Sequence, residues 1–262
     1  MALQSVDHAL AILQILQEQD EIGVSEAAER LAVAPSTAHR LLTTLVERGF
    51  ARRSVTAKRY RLGPAMTAAR RPNADEDYVL LAHDVLESLE AATHETVHLA
   101  TLDGTRARYL DVVVSREEMR VPSRVGAQVP AHASSAGKAL LASYSSRSIN
   151  RAYPREQLGV STATTIAKKS ALTRELAGVR VNGYARIFAE WEPGVNAIAM
   201  PVVGAGGMST VALAVAGPES RFQLARDDMR TGHERFIVHQ LRSAAATLQA
   251  RLADAGCMPG GQ

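Results

Sequence analysis

The sequence predicts an α+β protein built in two parts, a small helical head that carries a β-hairpin and a larger domain whose antiparallel sheet is flanked by helices. Three observations support this fold class. Apolar residues recur at helical spacing through the first part of the chain, whereas strand-like runs alternate with helical segments after residue 93. Asp103-Gly104 is a strong signal for a hairpin between two of those strands. A length of 262 residues leaves room for two unequal domains.

The head is predicted to begin with three helices, the first of them capped by Ser5. Pro35 suits the first turn of the third helix, because its missing N–H would have no partner there in any case. Gly49 is suited to end that helix. Two strand-like runs follow, FARR at 50–53 and RYRL at 59–62, and the segment SVTAK between them predicts a hairpin.

Positive charge is concentrated around the third helix and the hairpin. The formal net charge of the whole chain, +3, is too small to indicate a nucleic-acid binder. Residues 40–71, however, contain nine basic side chains against one acidic side chain, while residues 1–39 contain one basic and six acidic ones. The positive field is therefore local.

The third helix is predicted to present hydroxyls, a histidine and an arginine to the outside, as the reading helix of a helix-turn-helix does. Taken alone, a polar helix face with some arginines is more often simply solvated. The turn proline, the hairpin and the local charge together favour a winged helix-turn-helix that binds DNA. The residues predicted to contact DNA are Ser36, Thr37, His39, Arg40, Thr43 and Thr44 on the helix, with Arg52, Arg53, Lys58 and Arg59 on the wing.

The polar stretch RRPNADEDY at 70–78 predicts the domain boundary, and a helix from about Glu76 to Thr93 follows it. We expect a head at 1–71, a linker helix at 72–92, a second domain at 93–257 and a frayed tail at 258–262. The second domain is predicted to contain strands in TVHLATLDGTRARYLDVVV, YARIFAE, VNAIAMPVV and STVALAVAG, and helices in SSAGKALLASY and KSALTRELAGVRVNG. A last helix, from about His233 to Ala253, is predicted to bury Phe236, Leu241, Ala245, Leu248 and Leu252.

Signals for catalysis or metal binding are weak. The AGK of SSAGKALL lacks the glycine spacing and the following Ser or Thr of a phosphate-binding loop. His94 and His98 are four residues apart, but His98 is predicted to lie in a strand, which separates them. His132 is near Ser134 and Ser135, yet no nucleophile elbow surrounds these serines. We therefore predict no catalytic residue, no metal, no cofactor and no enzymatic activity.

Cysteine content and hydropathy predict a soluble cytoplasmic protein. The single cysteine, Cys257, cannot form an intrachain disulfide. No apolar run approaches the roughly 20 residues that span a bilayer, and the N-terminus lacks the basic region of a secretory signal. No membrane partner is expected.

Four segments resemble the IclR family of bacterial transcription regulators. Residues 9–63 resemble its winged helix-turn-helix, and RVGAQVPAHASSAGKALLA (124–142), NGYARIFAEWEPGVNAIAMPV (182–202) and VALAVAGPESRF (211–222) resemble its three effector-domain signatures. The resemblance covers nearly the whole chain in the same order and spacing. It implies a GAF-like effector domain with a cupped antiparallel sheet, dimers through the head and linker helix, and often tetramers through effector domains. It also implies that a small metabolite, commonly an organic acid, alters the binding of operator DNA.

Transferred position by position, the family's effector pocket would contain Val129, Ser135, Ala136, Ile187, Ala197, Ala214 and Ala216. Members that bind small polar acids often carry an acid, a cysteine and serines where this chain has isoleucine and alanines. Because an apolar pocket cannot offset the desolvation of a densely charged ligand, we expect a larger, apolar effector such as an aromatic acid. Its carboxylate would be held by backbone N–H groups where the SAGKALLA helix begins. Alternatively, these apolar residues form a closed core, as apolar strand residues usually do.

Two further points stay open in the sequence. Trp191 and Glu192 either cover the mouth of this pocket or lie on ordinary surface. The whole chain is either an effector-responsive regulator, activator or repressor, or a metabolite-binding module or enzyme whose small head binds protein. In a regulator, two linked heads on a palindromic site would raise the affinity for DNA, and the linker helix after Asp77 would couple effector to head.

Overall fold

The computed structural model describes residues 4–19, 21–54, 58–63, 66, 74–203, 209–224 and 231–255. It divides into two compact units, Met1–Ala74 and Asp75–Gln262, and the division falls within the polar stretch 70–78. The tip of the first hairpin at 55–57, the turn at 204–208, Cys257 and the tail predicted for 258–262 lie outside the described residues.

The first unit is a helical head with a short hairpin, as its hydrophobic pattern predicts. Its elements are α1 (Gln4–Gln19), α2 (Val24–Arg30), α3 (Pro35–Glu47), β1 (Ala51–Arg53) and β2 (Tyr60–Leu62). Pro35 occupies the first turn of α3, and Gly49, just past its end, adopts a left-handed φ of 78° that glycine tolerates. The core includes Ile12 and Leu16 from α1, Ala38 and Leu42 from α3, and Tyr60 from β2.

Backbone hydrogen bonds attach the hairpin to the helices. Strands β1 and β2 pair antiparallel, with Ala51 opposite Leu62. Ile22, between α1 and α2, exchanges two backbone hydrogen bonds with Tyr60, with N···O distances of 3.0 and 2.9 Å. The hairpin therefore has a fixed place beside the α1–α2 connection.

The second unit contains an antiparallel sheet with helices. Its elements are α4 (Ala74–Thr93), β3 (Thr96–Asp103), β4 (Arg106–Val113), β5 (Gln128–Pro130), a 3₁₀ turn (Ala131–Ala133), α5 (Ser135–Leu141), α6 (Ser146–Ala152), α7 (Lys169–Asn182), β6 (Ala185–Phe188), β7 (Val195–Val203), β8 (Ser209–Pro218) and α8 (Gly232–Asp254). The strand order is β5-β4-β3-β8-β7-β6, and β3 pairs with β8 although most of the domain lies between them in sequence. The short elements β5 and α6 were not predicted.

Alanines on one face of the sheet let α5 pack close to the strands. Because side chains alternate along a strand, Ala212 and Ala214 face one side of β8, while Leu213 faces the other. The alanine side joins a core with α5 and α7 that includes Leu140 and Leu176. Helix α8 packs on β7 and β8.

The buried stripe of α8 differs from the prediction at one position. Phe236 is 43% exposed, and Ile237 is buried in its place. The stripe continues through Leu241, Ala245, Leu248 and Leu252, as predicted. Steps of four, four, three and four residues keep Ile237 in line with the others, whereas Phe236 lies about 100° away around the helix.

Gly137 allows α5 to lie against the preceding 3₁₀ turn. A Cβ at this position would lie 2.3 Å from the Cα and 2.4 Å from the carbonyl oxygen of Ala131, and both are backbone atoms. The Oγ of Ser134 caps α5 by accepting a hydrogen bond of 3.2 Å from the Gly137 N–H. The start of α5 is therefore closely fitted to the 3₁₀ turn.

Two contacts hold α4 to strand β4. The Nδ1 of His83 lies 2.7 Å from Asp111 Oδ2, and its Nε2 lies 3.7 Å from Glu87 Oε1. The hydrogen bond to Asp111 raises the pKa of His83 above its ordinary value. Nearer the start of α4, the Nη2 of Arg108 lies 2.6 Å from Asp75 Oδ2.

We predict opposite effects for two glycine-to-alanine substitutions. Gly137→Ala should lower the free energy of unfolding by about 1–3 kcal/mol, because backbone atoms must shift to admit the methyl group. Gly178→Ala, inside α7 with nothing within 4 Å of the new Cβ, should raise it by about 0.5–1 kcal/mol. Urea denaturation followed by circular dichroism measures both, and equal effects would contradict the close fit of α5.

We also predict a pH-dependent contribution from His83. Because its pKa is higher in the folded than in the unfolded protein, its stabilisation is complete below pH of about 6.5 and is lost as pH rises through the folded pKa. His83 is half-exposed, so the difference should stay below about 1 kcal/mol. The stability gap between wild type and His83→Asn should shrink from pH 6 to pH 8.5. The same change at exposed His239 is the control, and a constant gap would refute the prediction.

Candidate functional site

The N-terminal half of α3 presents a polar, solvent-exposed surface. Ser36, Thr37, His39 and Arg40 are all exposed, while Ala38 between them is buried in the head. They lie in the first two turns, directly after the turn that carries Pro35. The structure thus brings together the four side chains predicted to lead the reading helix.

The two threonines farther along α3 are less available. The Oγ1 of Thr44 donates a hydrogen bond of 3.0 Å to the carbonyl of Arg40 and keeps only acceptor capacity. Thr43 is half-buried, and its Oγ1 has no hydrogen-bond partner among the described residues. The buried hydroxyl of Thr43 differs from the outward position that the helical pattern predicts, whereas Thr44 is exposed as predicted.

The basic residues of the wing fall into two groups. Arg52 and Lys58 are exposed, and the exposed Arg53 lies with its guanidinium carbon 5.8 Å from the centre of the Tyr60 ring. Arg59 is paired within the head, because its Nη2 lies 2.6 Å from Glu26 Oε2 and donates to the Glu21 carbonyl at 3.2 Å.

Arg61 pairs with the same acidic surface. It forms an ion pair with the carboxylate of Glu21, and this hydrogen bond is the main reason that the pKa of Glu21 is lowered. The acidic excess at 1–39 was the available signal for these pairs. Arg59 and Arg61 thus bind the hairpin to the acidic start of the head.

A cavity of about 380 Å³ opens in the second unit between the sheet and the segment 121–127. It is lined by His98, Tyr109, Val121, Pro122, Ser123, Arg124, Ala127, Val129, Ser134, Ser135, Ile187, Trp191, Glu192, Val195, Ala197, Ala214 and Ala216. Six of the seven positions transferred from the family therefore meet around one space. They come from five separate segments of the chain.

Ala136 is the exception. It is buried in the core formed by α5, α7 and the alanine side of the sheet. Its neighbour Ser135 lines the cavity. Successive residues of a helix point about 100° apart, so Ser135 faces the cavity while Ala136 faces the core.

Two polar residues that the sequence did not indicate lie inside the cavity. The rings of His98 and Tyr109 are stacked with their centres 4.3 Å apart and a tilt of 34°. Burial lowers the pKa of His98 to about 4, so this imidazole is neutral at physiological pH. Burial, with the charge of Glu192, raises the pKa of Tyr109 to about 12. Their positions follow from long-range strand pairing, which places His98 opposite Ala214 and Tyr109 opposite Ala100 and which no local sequence pattern indicates.

The charged residues of the cavity lie at its mouth. Arg124 and Glu192 both line it and are exposed to solvent, and Trp191 beside Glu192 is 38% exposed. Trp191 and Glu192 therefore belong to the rim of the cavity. The inner surface combines apolar side chains with uncharged polar groups.

The lysine of the AGK segment is a buried structural residue. The Nζ of Lys138 lies 2.6 Å from Glu190 Oε1, 3.4 Å from Glu175 Oε1 and 3.3 Å from the carbonyl oxygen of Arg186. The hydroxyl of Thr165 donates to the carbonyl of Glu190 at 2.5 Å. These bonds fix the turn beside the rim to α5.

Other chemistries find little support in the described part of the chain. Within it, no group of three or more His, Cys, Asp or Glu side chains is placed to hold a metal ion. His132 donates through Nε2 to the carbonyl of Gly159 at 2.8 Å. None of the described helices has both the length and the apolar character needed to cross a membrane.

Comparisons with known proteins match both units. The model of the IclR helix-turn-helix domain matches residues 5–54, and that of the bacterial transcriptional regulator IclR C-terminal domain matches residues 75–249. The chain is 33% identical over 227 residues to the HTH-type transcriptional regulator BhcR of Paracoccus denitrificans, covering 86% of this chain and 81% of BhcR. It is 31% identical over 254 residues to XynR of Escherichia coli, covering 95% and 97% of the two chains.

Solved structures agree with these matches. The crystal structure of Thermotoga maritima IclR aligns with a TM-score of 0.60 at 26% identity, covering 94% of this chain and 98% of that one. The named relatives are transcriptional regulators, not enzymes. Since one family model matches more than half of the residues and a second matches the head, this chain belongs to the IclR family of helix-turn-helix transcriptional regulators.

Proposed function

We propose that this regulator reads operator DNA with the exposed start of α3, and that a largely apolar, aromatic organic acid in the cavity changes that binding. The observation that carries the proposal is the presence of an exposed polar helix start in one unit and a mostly apolar cavity in the other. A regulator of this kind would act in the cytoplasm, where its DNA is.

The chemistry of the head supports a division of labour on DNA. Arg40 can pair bidentately with a guanine edge in the major groove, and His39 is beside it on the exposed surface. Ser36 and Thr37 are suited to phosphates or bases where the helix enters the groove. On the wing, Arg52, Arg53 and Lys58 are exposed cations available for neighbouring phosphates.

A dimer follows from the small size of the head. One reading helix makes few base contacts, so two heads on a palindromic operator raise affinity through their high effective concentration. We propose a homodimer that binds double-stranded operator DNA, and that two such dimers can associate as a homotetramer.

The cavity favours an aromatic acid over a small polar one. Its volume of about 380 Å³ lies within the range of small-molecule sites. Ile187, Ala197 and Ala216 offer no partner to a densely charged ligand. Neutral His98 and Tyr109 offer hydrogen bonds without charge, which suits a hydroxyl or another uncharged polar group on the ligand.

Two anchors are available for a carboxylate. Arg124 at the mouth is a permanent cation among the lining residues. At the start of α5, Gly137 N–H already donates to the cap of Ser134, so the N–H groups of Ser135 and Ala136 are the ones that would serve a ligand. The carboxylate anchor expected at the N-terminus of α5 is therefore limited to these two backbone N–H groups.

We predict that three substitutions in the head have different effects, one on base specificity, one on DNA affinity and one on the stability of the head. Arg40→Ala should relax base preference at one operator position by about 1–3 kcal/mol. Lys58→Ala should weaken binding to all sequences alike and reduce the salt slope by about one. Arg59→Ala should mainly destabilise the head, because it leaves Glu26 without its ion pair. Fluorescence anisotropy on operators selected from random duplexes, at several salt concentrations, measures the base preference, the DNA affinity and the salt slope of each variant.

Full operator affinity in both Arg40→Ala and Lys58→Ala would show that the reading head is wrongly assigned. A salt slope reduced by Arg59→Ala as much as by Lys58→Ala would show that Arg59 also reaches phosphate.

We predict that benzoate-type acids bind more tightly than pyruvate or glyoxylate, because aromatic surface fills the apolar cavity. Calorimetry measures the affinities, and the emission of Trp191, the only tryptophan of the chain, reports events at the cavity mouth. Ala216→Leu should abolish binding by filling the cavity, whereas Ala177→Leu on the exposed side of α7 should not. Tighter binding of pyruvate than of benzoate would overturn the proposed effector class.

A further inference from the structure

The cavity shares a wall with a groove beside the first turns of α4. This groove, of about 600 Å³, is lined by Asp75, Glu76, Asp77, Val79 and Leu80 of α4, and by Arg108, Tyr109, Leu110, Val125 and Gly126. Tyr109 lines both spaces. In the turn 124–127, Arg124 and Ala127 line the cavity, whereas Val125 and Gly126 line the groove. We call Tyr109 and residues 124–127 the shared wall.

The shared wall is one hydrogen-bonded piece of backbone. The N–H of Gly126 donates to the carbonyl of Tyr109 at 2.8 Å, and the N–H of Tyr109 donates to the carbonyl of Ala127 at 3.0 Å. Gly126 has a left-handed φ of 83°, which closes the turn. A displacement of the Tyr109 main chain must therefore move the turn with it.

Arg108 connects this wall to α4. Because successive residues of β4 point to opposite sides of the sheet, Tyr109 stacks on His98 in the cavity while Arg108 reaches α4. Its Nη2 lies 2.6 Å from Asp75 Oδ2, in the first turn of α4. Asp75 directly follows the last residue of the head unit, Ala74.

The groove side of the shared wall is less tightly packed than the opposite side of the cavity. Leu80 is 80% exposed and Val125 is 61% exposed, so the two sides of the groove are not tightly packed together. Across the cavity, the buried pair of Lys138 and Glu190 holds the rim to α5 with a distance of 2.6 Å. A ligand that expands the cavity meets less resistance from the shared wall.

We propose that Arg108 is a positioning residue that transmits occupation of the cavity to the start of the linker helix α4. A ligand pressing on Tyr109 displaces the shared wall and β4 together, and the Arg108–Asp75 ion pair moves the first turn of α4. A coupling of this kind needs two arrangements whose balance the ligand changes, here two positions of that turn. The proposal rests on the proposed function in one respect, that the effector occupies this cavity.

Hydrogen–deuterium exchange tests the coupling without any effector. Ala216→Leu fills the cavity beside Val121 and serves as a mimic of the bound state. In an otherwise wild-type chain it should change the exchange of amides in residues 75–82. In an Arg108→Gln background the same substitution should leave those amides unchanged. Ala197→Leu is the second cavity-filling variant if the first fails to fold.

Arg106→Gln is the matched control for Arg108→Gln. Arg106 lies two residues away on β4, and its guanidinium donates to the carbonyl of Gln128 at 2.8 Å instead of to α4. It should leave the exchange response of residues 75–82 intact. The proposal is overturned if the cavity-filling variants have no effect on α4, or the same effect with and without Arg108.

Operator binding supplies the second readout, with benzoate as the probe. Arg108→Gln should bind benzoate as wild type does, but the effect of benzoate on operator affinity should fall below about twofold, against the roughly 5- to 150-fold usual for allosteric coupling. The exchanged pair Arg108→Asp with Asp75→Arg should restore the response. An unchanged effect of benzoate on operator affinity in Arg108→Gln refutes the coupling. If the wild-type protein binds no benzoate, only the proposed effector class is refuted, because the exchange experiment still decides the coupling.

Discussion

The effector domain depends on one buried charge pair, Lys138 with Glu190. An ammonium group removed from water needs close partners, and Lys138 has a carboxylate oxygen at 2.6 Å and a carbonyl oxygen at 3.3 Å. Its helix α5 is buried along its whole length, so the lysine cannot turn to solvent. The pair joins α5 to the turn before Trp191. The start of α5 and the rim of the cavity thereby keep a fixed relation.

Alanines on one face of the sheet serve two purposes. Ala199 and Ala212 allow α5 to approach the strands closely and are part of the core. Ala197 and Ala216, farther along the same two strands, face no helix and leave open space. The same small side chain therefore produces close packing at one end of the sheet and a cavity at the other. The N-terminus of α5, at Ser135, separates the two regions.

Sequence patterns predicted what depends on local periodicity and missed what depends on distant pairing. Helix spacing and hairpin signals indicated the order of the elements, and the family resemblance led to Ile187 and the cavity alanines. The position of His98 in the cavity could not be predicted, because it follows from the β3–β8 register. The ion pair of Arg59 with Glu26 could not be predicted either, because the two residues are 33 positions apart in sequence. The exposure of Phe236 beside the buried Ile237 shows that a shift of one residue along a helix changes which side chain is buried.

The pairing of β3 with β8 also has a consequence for the newly made chain. The head has its own core and its residues leave the ribosome before those of the sheet, so it can fold while the sheet is still being synthesised. The sheet must wait, because β3 pairs on one side with β8, which follows much later in the sequence. During synthesis, a nascent polypeptide therefore carries a folded helix-turn-helix domain before its C-terminal domain is complete.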